Sequence, residues 1–235
     1  MQRYFVKEKN NNNFILESSD VHHIKKVMRY QNNDKIEIVY EKKVYLCNID
    51  NIDTLSLSII DIYEEDRESD INLTIAISLV QEQKFDLILQ KLTELGVTEI
   101  IPIKTERSIV KIDANREEKK KLRWQNICKE ASEQSHRVTI PKIHDIMTMK
   151  ELLNNKKELN LICSLNDKTK PLENYLNSEI NNILFVIGPE GGFSNKEEEF
   201  LLSNGFEATT LGKRVLRVET AAIYVASIIN YVYKG

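Results

Sequence analysis

The chain has 235 residues, of which 41% are hydrophobic and 29% charged, a balance ordinary for a water-soluble globular protein with a real core. A net charge of −3 argues against a generic polyanion binder. Cys47, Cys128 and Cys163 stand singly, which suggests neither a disulfide framework nor a zinc site, so no metal is expected. The stretch MQRYFVKEKNNNNF lacks the apolar core of a signal peptide and no run of 18 apolar residues occurs, so we expect a cytoplasmic protein without membrane contact.

In chain order, short strands come first. DKIEIVYEKKVYLCNIDNIDTLSLSIIDIY alternates apolar and polar residues (Ile36/Ile38, Val44/Leu46, Leu55/Leu57/Ile59) between polar turns, as a small β-barrel does. SSDVHHIKKVMRY interrupts it with helical spacing: Val21, Ile24 and Met28 share a face, with Ser19 or Asp20 as cap. The charged run Glu64 to Asp70 then reads as a boundary, giving domains of residues 1–69 and 70–235.

Beyond it, strands alternate with helices. INLTIAISL is a buried-type strand; KFDLILQKLTELG puts Phe85, Ile88, Leu89, Leu92 and Leu95 on one helical face, stopped by Gly96. VTEIIPI, LNLICSL and NILFVI supply further strands, and a helix from about Arg116 to Ser135 should bury Trp124, Ile127, Cys128 and Ala131. A helix opens at Asn195, a short apolar segment lies near Leu211, and TAAIYVASIINYVY is apolar almost all round and should be buried, either in the core or against another subunit. The alternation predicts an α/β domain with a doubly wound parallel sheet.

In such sheets ligands bind where a strand's carboxyl end meets the next helix. IGPEGGFS, from Ile187 to Ser194, occupies that position, and Ser194 with Glu197 forms a capping-box pattern. A phosphate cradle is the tempting reading, yet Pro189 has no N–H and Glu190 brings a carboxylate into the loop. A neutral or cationic ligand suits it better. LGKRVLRVETAA, from Leu211 to Ala222, sets Arg214 and Arg217 beside Glu219 just before the apolar helix, and buried arginines would need an acid or an anionic substrate as partner. Either loop alone is compatible with ordinary turn chemistry; the pair within one α/β domain points to a site.

Two basic segments stand out in this acidic chain. From Lys104 to Lys142 there are eleven Lys and Arg against six Asp and Glu, and residues 1–30 hold six against three. That is compatible with a nucleic-acid partner, although REEKKKLRW also reads as a solvated helix face. No Ser-His-Asp or Cys-His order stands out.

Together, RYF at Arg3, HHIKKVMR, FDLILQKLTELGVTEIIP, ERS at Glu106, RWQNICKEASEQSHRVTIP, IGPEGGFS and LGKRVLRVETA resemble, in order, the ribosomal small-subunit methyltransferase E family of the SPOUT superfamily. The chain departs from the family pattern at QEQK before Phe85 and at Asn32 and Asn33. The resemblance implies a SPOUT-type sheet with a deep carboxy-terminal trefoil knot, a PUA-like β-barrel that grips RNA, and a homodimer. It implies transfer of a methyl group from S-adenosylmethionine to N3 of a specific uridine (the U1498 site) in 16S rRNA of the small ribosomal subunit. A SPOUT enzyme acting on a ribose 2′-hydroxyl, a nucleotide-binding enzyme and a non-catalytic RNA-binding module are the alternatives. By the same resemblance, Cys163, Ser164, Leu165, Ile187, Gly188, Pro189, Glu190, Gly191, Gly192, Leu211, Gly212, Val215, Leu216, Thr220 and Ala221 would form the cofactor pocket. Arg217, then Arg214, would supply the catalytic cation, with Glu219 or Glu190 as the acid. Arg3, His22, Arg29, Lys91, Glu94, Arg107, Gln134 and Arg137 would contact RNA.

Overall fold

The computed structural model describes residues 1–10, 13–164, 169–176 and 179–233. They form two compact units: Met1–Glu68 with Ser132–Thr139, and Ser69–Ala131 with Ile140–Gly235.

The first unit contains β1 (Arg3–Phe5), β2 (Glu8–Asn10), β3 (Asn13–Ile15), α1 (Ser18–His22), β4 (Lys35–Tyr40), β5 (Lys43–Asn51) and β6 (Ser56–Tyr63). Its main sheet runs β1-β4-β5-β6, with β1 parallel to β4 and the other pairs antiparallel, while β2 and β3 form a separate hairpin. The small barrel expected here is therefore not one closed ladder among the described residues. Strands of three residues, such as β1, β2 and β3, offer too few hydrogen bonds to close it. Alternation holds in β4, where Ile36 and Ile38 are buried with Tyr4, Phe14 and Ile24; in β5 it is Tyr45, Cys47 and Ile49 rather than Val44/Leu46 that join this core, and of Leu55/Leu57/Ile59 only Leu57 is buried.

The helix after β3 departs from its reading. Its cap is Glu17, without a side-chain bond, rather than Ser19 or Asp20. The turn His23–Val27 is a wider π-helix, which rotates the following residues off the earlier face. Ile24 stays buried, but Met28 is exposed. Asn33 takes a left-handed conformation (φ 72°), a geometry that asparagine tolerates better than most residues.

The second unit contains β7 (Asn72–Ser78), α2 (Glu82–Glu94), β8 (Glu99–Ile103), α3 (Ala114–Gln134, its last residues from Ser132 falling in the first unit), β9 (Lys142–Ile143), α4 (Met149–Leu152), β10 (Leu159–Cys163), β11 (Lys170–Pro171), β12 (Asn182–Ile187), α5 (Asn195–Ser203), β13 (Glu207–Thr210) and α6 (Val218–Val232). The strands make one seven-stranded sheet, ordered β11-β13-β10-β12-β7-β8-β9, in which every pairing is parallel. Both faces are covered, as parallel sheets require. In β12, Ile183, Phe185 and Ile187 join the core that holds Phe85, Ile88 and Ala222, while Leu184 and Val186 join the opposite one with Leu201 and Phe206.

The helix α2 buries Phe85, Ile88, Leu89 and Leu92 and stops at Leu95 and Gly96, whose φ of 81° suits glycine. The last helix, α6, turns one side inward. Val218, Ala221, Ala222, Val225, Ala226 and Ile229 make one buried stripe, whereas Tyr224, Tyr231 and Val232 are exposed. Small residues let that stripe sit close to its neighbours, and one stripe cannot bury the opposite side of a helix.

Candidate active site

The adjacent strands β13, β10 and β12 end at Thr210, Cys163 and Ile187, and their carboxyl-end loops surround one cavity of about 590 Å³ including its mouth. Cys163 and Ser164 line it after β10; Ile187, Gly188, Pro189, Glu190 and Gly192 line it after β12. From the third loop come Leu211, Gly212, Arg214, Val215 and Leu216, and α6 adds Ala221. The expected pocket set omitted Phe193 and Val218, which lie inside the two stretches singled out, and Thr210, one residue before the second. Gly191 faces a neighbouring cavity, Thr220 is exposed and is not part of this cavity's lining, and Leu165 lies outside the described residues.

The β12 loop is built from both ends. Gly192 donates its N–H to the Pro189 carbonyl at 2.8 Å and holds φ at 68°. A Cβ on Gly188 would meet the Phe193 ring at 3.2 Å, so glycine lets that ring pack under the strand end. Ser194 caps α5: its Oγ accepts from Glu197 N at 3.3 Å, and Ser194 N donates to Glu197 Oε2 at 2.8 Å. The other oxygen of Glu197 accepts from Glu106 N at 2.7 Å. Arg107 donates through Nη1 to the carbonyls of Gly191 (2.9 Å) and Phe193 (3.1 Å), so it braces the loop. Glu190 pairs with Lys84 of α2, inside the QEQK segment.

Chemically the cavity is mild. Burial pushes the Cys163 thiol up to about 11, so it is no nucleophile at neutral pH. The Ser164 hydroxyl donates to Glu198 Oε1 at 2.5 Å and its N–H to the Thr209 carbonyl at 3.0 Å, both structural bonds. Arg214 lines the cavity, while Arg217 caps α6 through backbone geometry alone. Both arginines are exposed and neither forms an ion pair among the described residues, so the buried, acid-paired arginines considered from sequence are not what the fold builds. Glu219 is different: its Oε2 is buried with no hydrogen-bond partner among the described residues.

The suggested RNA contacts separate into two kinds. His22, Arg29, Lys91, Glu94, Arg107 and Gln134 reach the surface in whole or part, Lys91 and Glu94 as a pair at 2.8 Å. Arg3 and Arg137 do not, and this corrects the expectation for both. Arg3 is 0% exposed; it binds Glu37 and Glu65 and donates to the His136 and Arg137 carbonyls. Arg137, 3% exposed, pairs with Glu68 at 2.6 Å. A guanidinium so enclosed meets no phosphate. No helix among the described residues is long and apolar enough to cross a membrane.

A carboxyl-end cavity on an all-parallel sheet, in a chain with a small β unit, defines the class: residues 67–230 match the RNA methyltransferase domain model and residues 16–62 the RNA methyltransferase PUA domain model. The Bacillus subtilis protein named ribosomal RNA small subunit methyltransferase E is 34% identical over 248 residues, covering 98% of this chain and 96% of that one. Its namesake from Mesomycoplasma hyopneumoniae is 35% identical over 225 residues, covering 96% and 97%. The crystal structure of the Neisseria gonorrhoeae protein of that name, bound to S-adenosyl methionine, superposes with a TM-score of 0.89 at 32% identity, covering 99% of this chain and 98% of that one. The chain thus belongs to the ribosomal RNA small subunit methyltransferase E family, as its motifs imply.

Proposed function

We infer that this protein methylates N3 of a uridine in 16S rRNA of the small ribosomal subunit, at the U1498 site, using S-adenosylmethionine. The observation that carries this reading is the meeting of three strand ends around one cavity lined by the unpaired Arg214, with Arg217 between the lining residues Leu216 and Val218. The residues fit the cofactor. Ile187, Leu211, Leu216 and Ala221 offer apolar surface, and the glycines admit close backbone approach. When bound, the cofactor supplies an electrophilic methyl group on a sulfonium.

The chain's residues supply everything else. As N3 gives up its proton, negative charge spreads to the uracil oxygens, and Arg217, assisted by Arg214, stabilises it. Glu219 Oε2, buried and unpartnered, takes the proton; Glu190 is held by Lys84. Of the RNA contacts, His22, Arg29, Lys91, Glu94, Arg107 and Gln134 remain in this reading, Arg107 with its bracing role added. The reading includes a deep trefoil knot in the stretch bearing the three loops, a homodimer joined through the exposed tyrosines of α6, a cytoplasmic setting with the ribosome, and domains that meet near residue 69.

Small ribosomal subunits lacking the modification, incubated with labelled cofactor, should yield 3-methyluridine in nucleoside maps. A ribose-methylated nucleoside, or no transfer, would overturn the reading. Arg217→Ala should lower turnover by about 10²–10³-fold, the scale for losing one charge-stabilising donor, with cofactor affinity unchanged. Normal turnover in that variant would remove Arg217 from its role.

A further inference from the structure

Two more cavities continue from the first along the carboxyl ends of β12, β7 and β8, which are neighbours in the sheet. The second shares Pro189 and Glu190 with the first and adds Arg107 and Ile109 from the loop after β8. The third shares Leu79, Val80 and Val110 with the second and reaches Phe85 and Trp124. The three make one trough that starts at the methyl-transfer cavity.

Its chemistry has two parts. Apolar surface comes from Ile109, 85% exposed in spite of its size, and the half-buried Val110, over a floor of the buried Leu79 and Val80. Charge comes from Lys111, Arg116 and Lys120 in the third cavity, against Glu82 and Asp113. Lys120 is paired with Glu82 at 2.7 Å, but the side chains of Lys111 and Arg116 are exposed and form no ion pair among the described residues. Two free cations over an apolar strip suit a chain with flat apolar bases and a charged backbone. The strip is continuous with the site that must receive one such base.

We propose that this trough binds the single-stranded RNA segment adjoining the target nucleotide, with bases against Ile109 and Val110 and phosphates at Lys111 and Arg116. This rests on the rRNA-methylating reading and adds where the substrate strand runs. Stacking and apolar contact hold bases without reading sequence, and the two cations hold register.

The test is a Lys111→Ala/Arg116→Ala double variant, assayed with unmodified small ribosomal subunits over a range of salt. KM for the subunit should rise about tenfold or more at low salt. The log–log salt slope should flatten by about 1.4, since each single-strand phosphate contact contributes about 0.7. The Kd for S-adenosylmethionine should stay unchanged, and Lys111→Arg/Arg116→Lys should behave as the parent.

Trp124, the chain's one tryptophan, lines the trough, so its emission reports occupancy. A single-stranded oligonucleotide of the target sequence should change that emission in the parent and far less in the double variant. Unchanged KM and slope in a variant that still methylates would overturn the trough alone. An equal emission change with inorganic phosphate or a mononucleotide would make it a small-anion site and also overturn it. If the parent transfers no methyl group to rRNA, the underlying reading falls and the trough with it.

Discussion

Replacing Arg137 by Met decides whether this arginine serves RNA or the fold. Its guanidinium is 3% exposed and reaches Glu68 Oε2 through Nη2 at 2.6 Å and Nε at 3.1 Å. Glu68 also accepts from the backbone N–H groups of Val138 (2.9 Å) and Thr139 (3.0 Å). Removing one partner of a buried pair costs roughly 3–5 kcal/mol when the other charge is left uncompensated. Here the two N–H bonds and partial solvent access of Glu68 soften the loss, so about 2–3 kcal/mol is the expected cost. For a unit of this size each kcal/mol lowers the unfolding midpoint by about 4–8 °C, so calorimetry should show the first unit's transition falling by roughly 10–20 °C. The salt slope of rRNA binding, measured below that transition, should not move. A second substitution, Glu68→Gln, should recover part of the loss, because it removes the stranded charge. A Met variant with an unchanged midpoint and a flatter salt slope would refute the structural role and restore Arg137 as a phosphate contact.

Two further outcomes follow from the geometry. In the glycine-rich walls, Gly212→Ala should weaken S-adenosylmethionine binding because φ is 112° there, and Gly188→Ala should do so by pushing on Phe193; Gly191→Ala, whose Cβ would meet Arg107 only at 3.5 Å, should bind nearly normally in calorimetry. Equal losses at all three would contradict this wall geometry. Acid should weaken the fold through Glu65, Glu68 and Glu99. Burial raises each carboxyl, but Arg3 with Arg67, Arg137, and Lys157 with His144 outweigh it and hold all three below the ordinary range. A depressed folded value means stabilisation is complete above the unfolded value, about 4.3, and is lost as pH falls through the folded one. The urea midpoint should therefore drop below about pH 4.5, less steeply in Glu68→Gln; a flat profile in the parent would sink the attribution.

Local signals were legible where the structure obeys local rules. Ser194 and Glu197 stand three residues apart and make both capping-box bonds, and Gly96 ends α2 because the periodic apolar face stops there. The loops IGPEGGFS and LGKRVLRVETAA share a cavity because both follow strands that the sheet places side by side with β10. What escaped is settled over distance. Arg3 is buried by Glu37 and Glu65, and Arg137 by Glu68, carboxylates 34, 62 and 69 residues away, and nothing beside either arginine marks it as enclosed. The π turn after His22 likewise leaves the apolar spacing intact while turning Met28 outward.

Glu190 changes meaning once its partner is known. Taken alone, a carboxylate inside a glycine-rich loop repels phosphate and favours a cation. Paired with Lys84, it contributes little net field, and an exposed pair of this kind also adds little stability. The exposed charges without an ion-pair partner on the loop after β13 then include those of Arg214, which lines the cavity, and Arg217, both positive, while the unpartnered carboxylate of Glu219 is buried. Such a field does not select a sulfonium; under the proposed N3 reaction it would favour the anion that forms on the base. Cofactor selection falls instead to shape, apolar lining and backbone groups. In the proposed function the loop after β12 would then hold the donor and the arginines after β13 would act on the acceptor, and the exclusion of phosphate rests on Pro189, which has no N–H to offer.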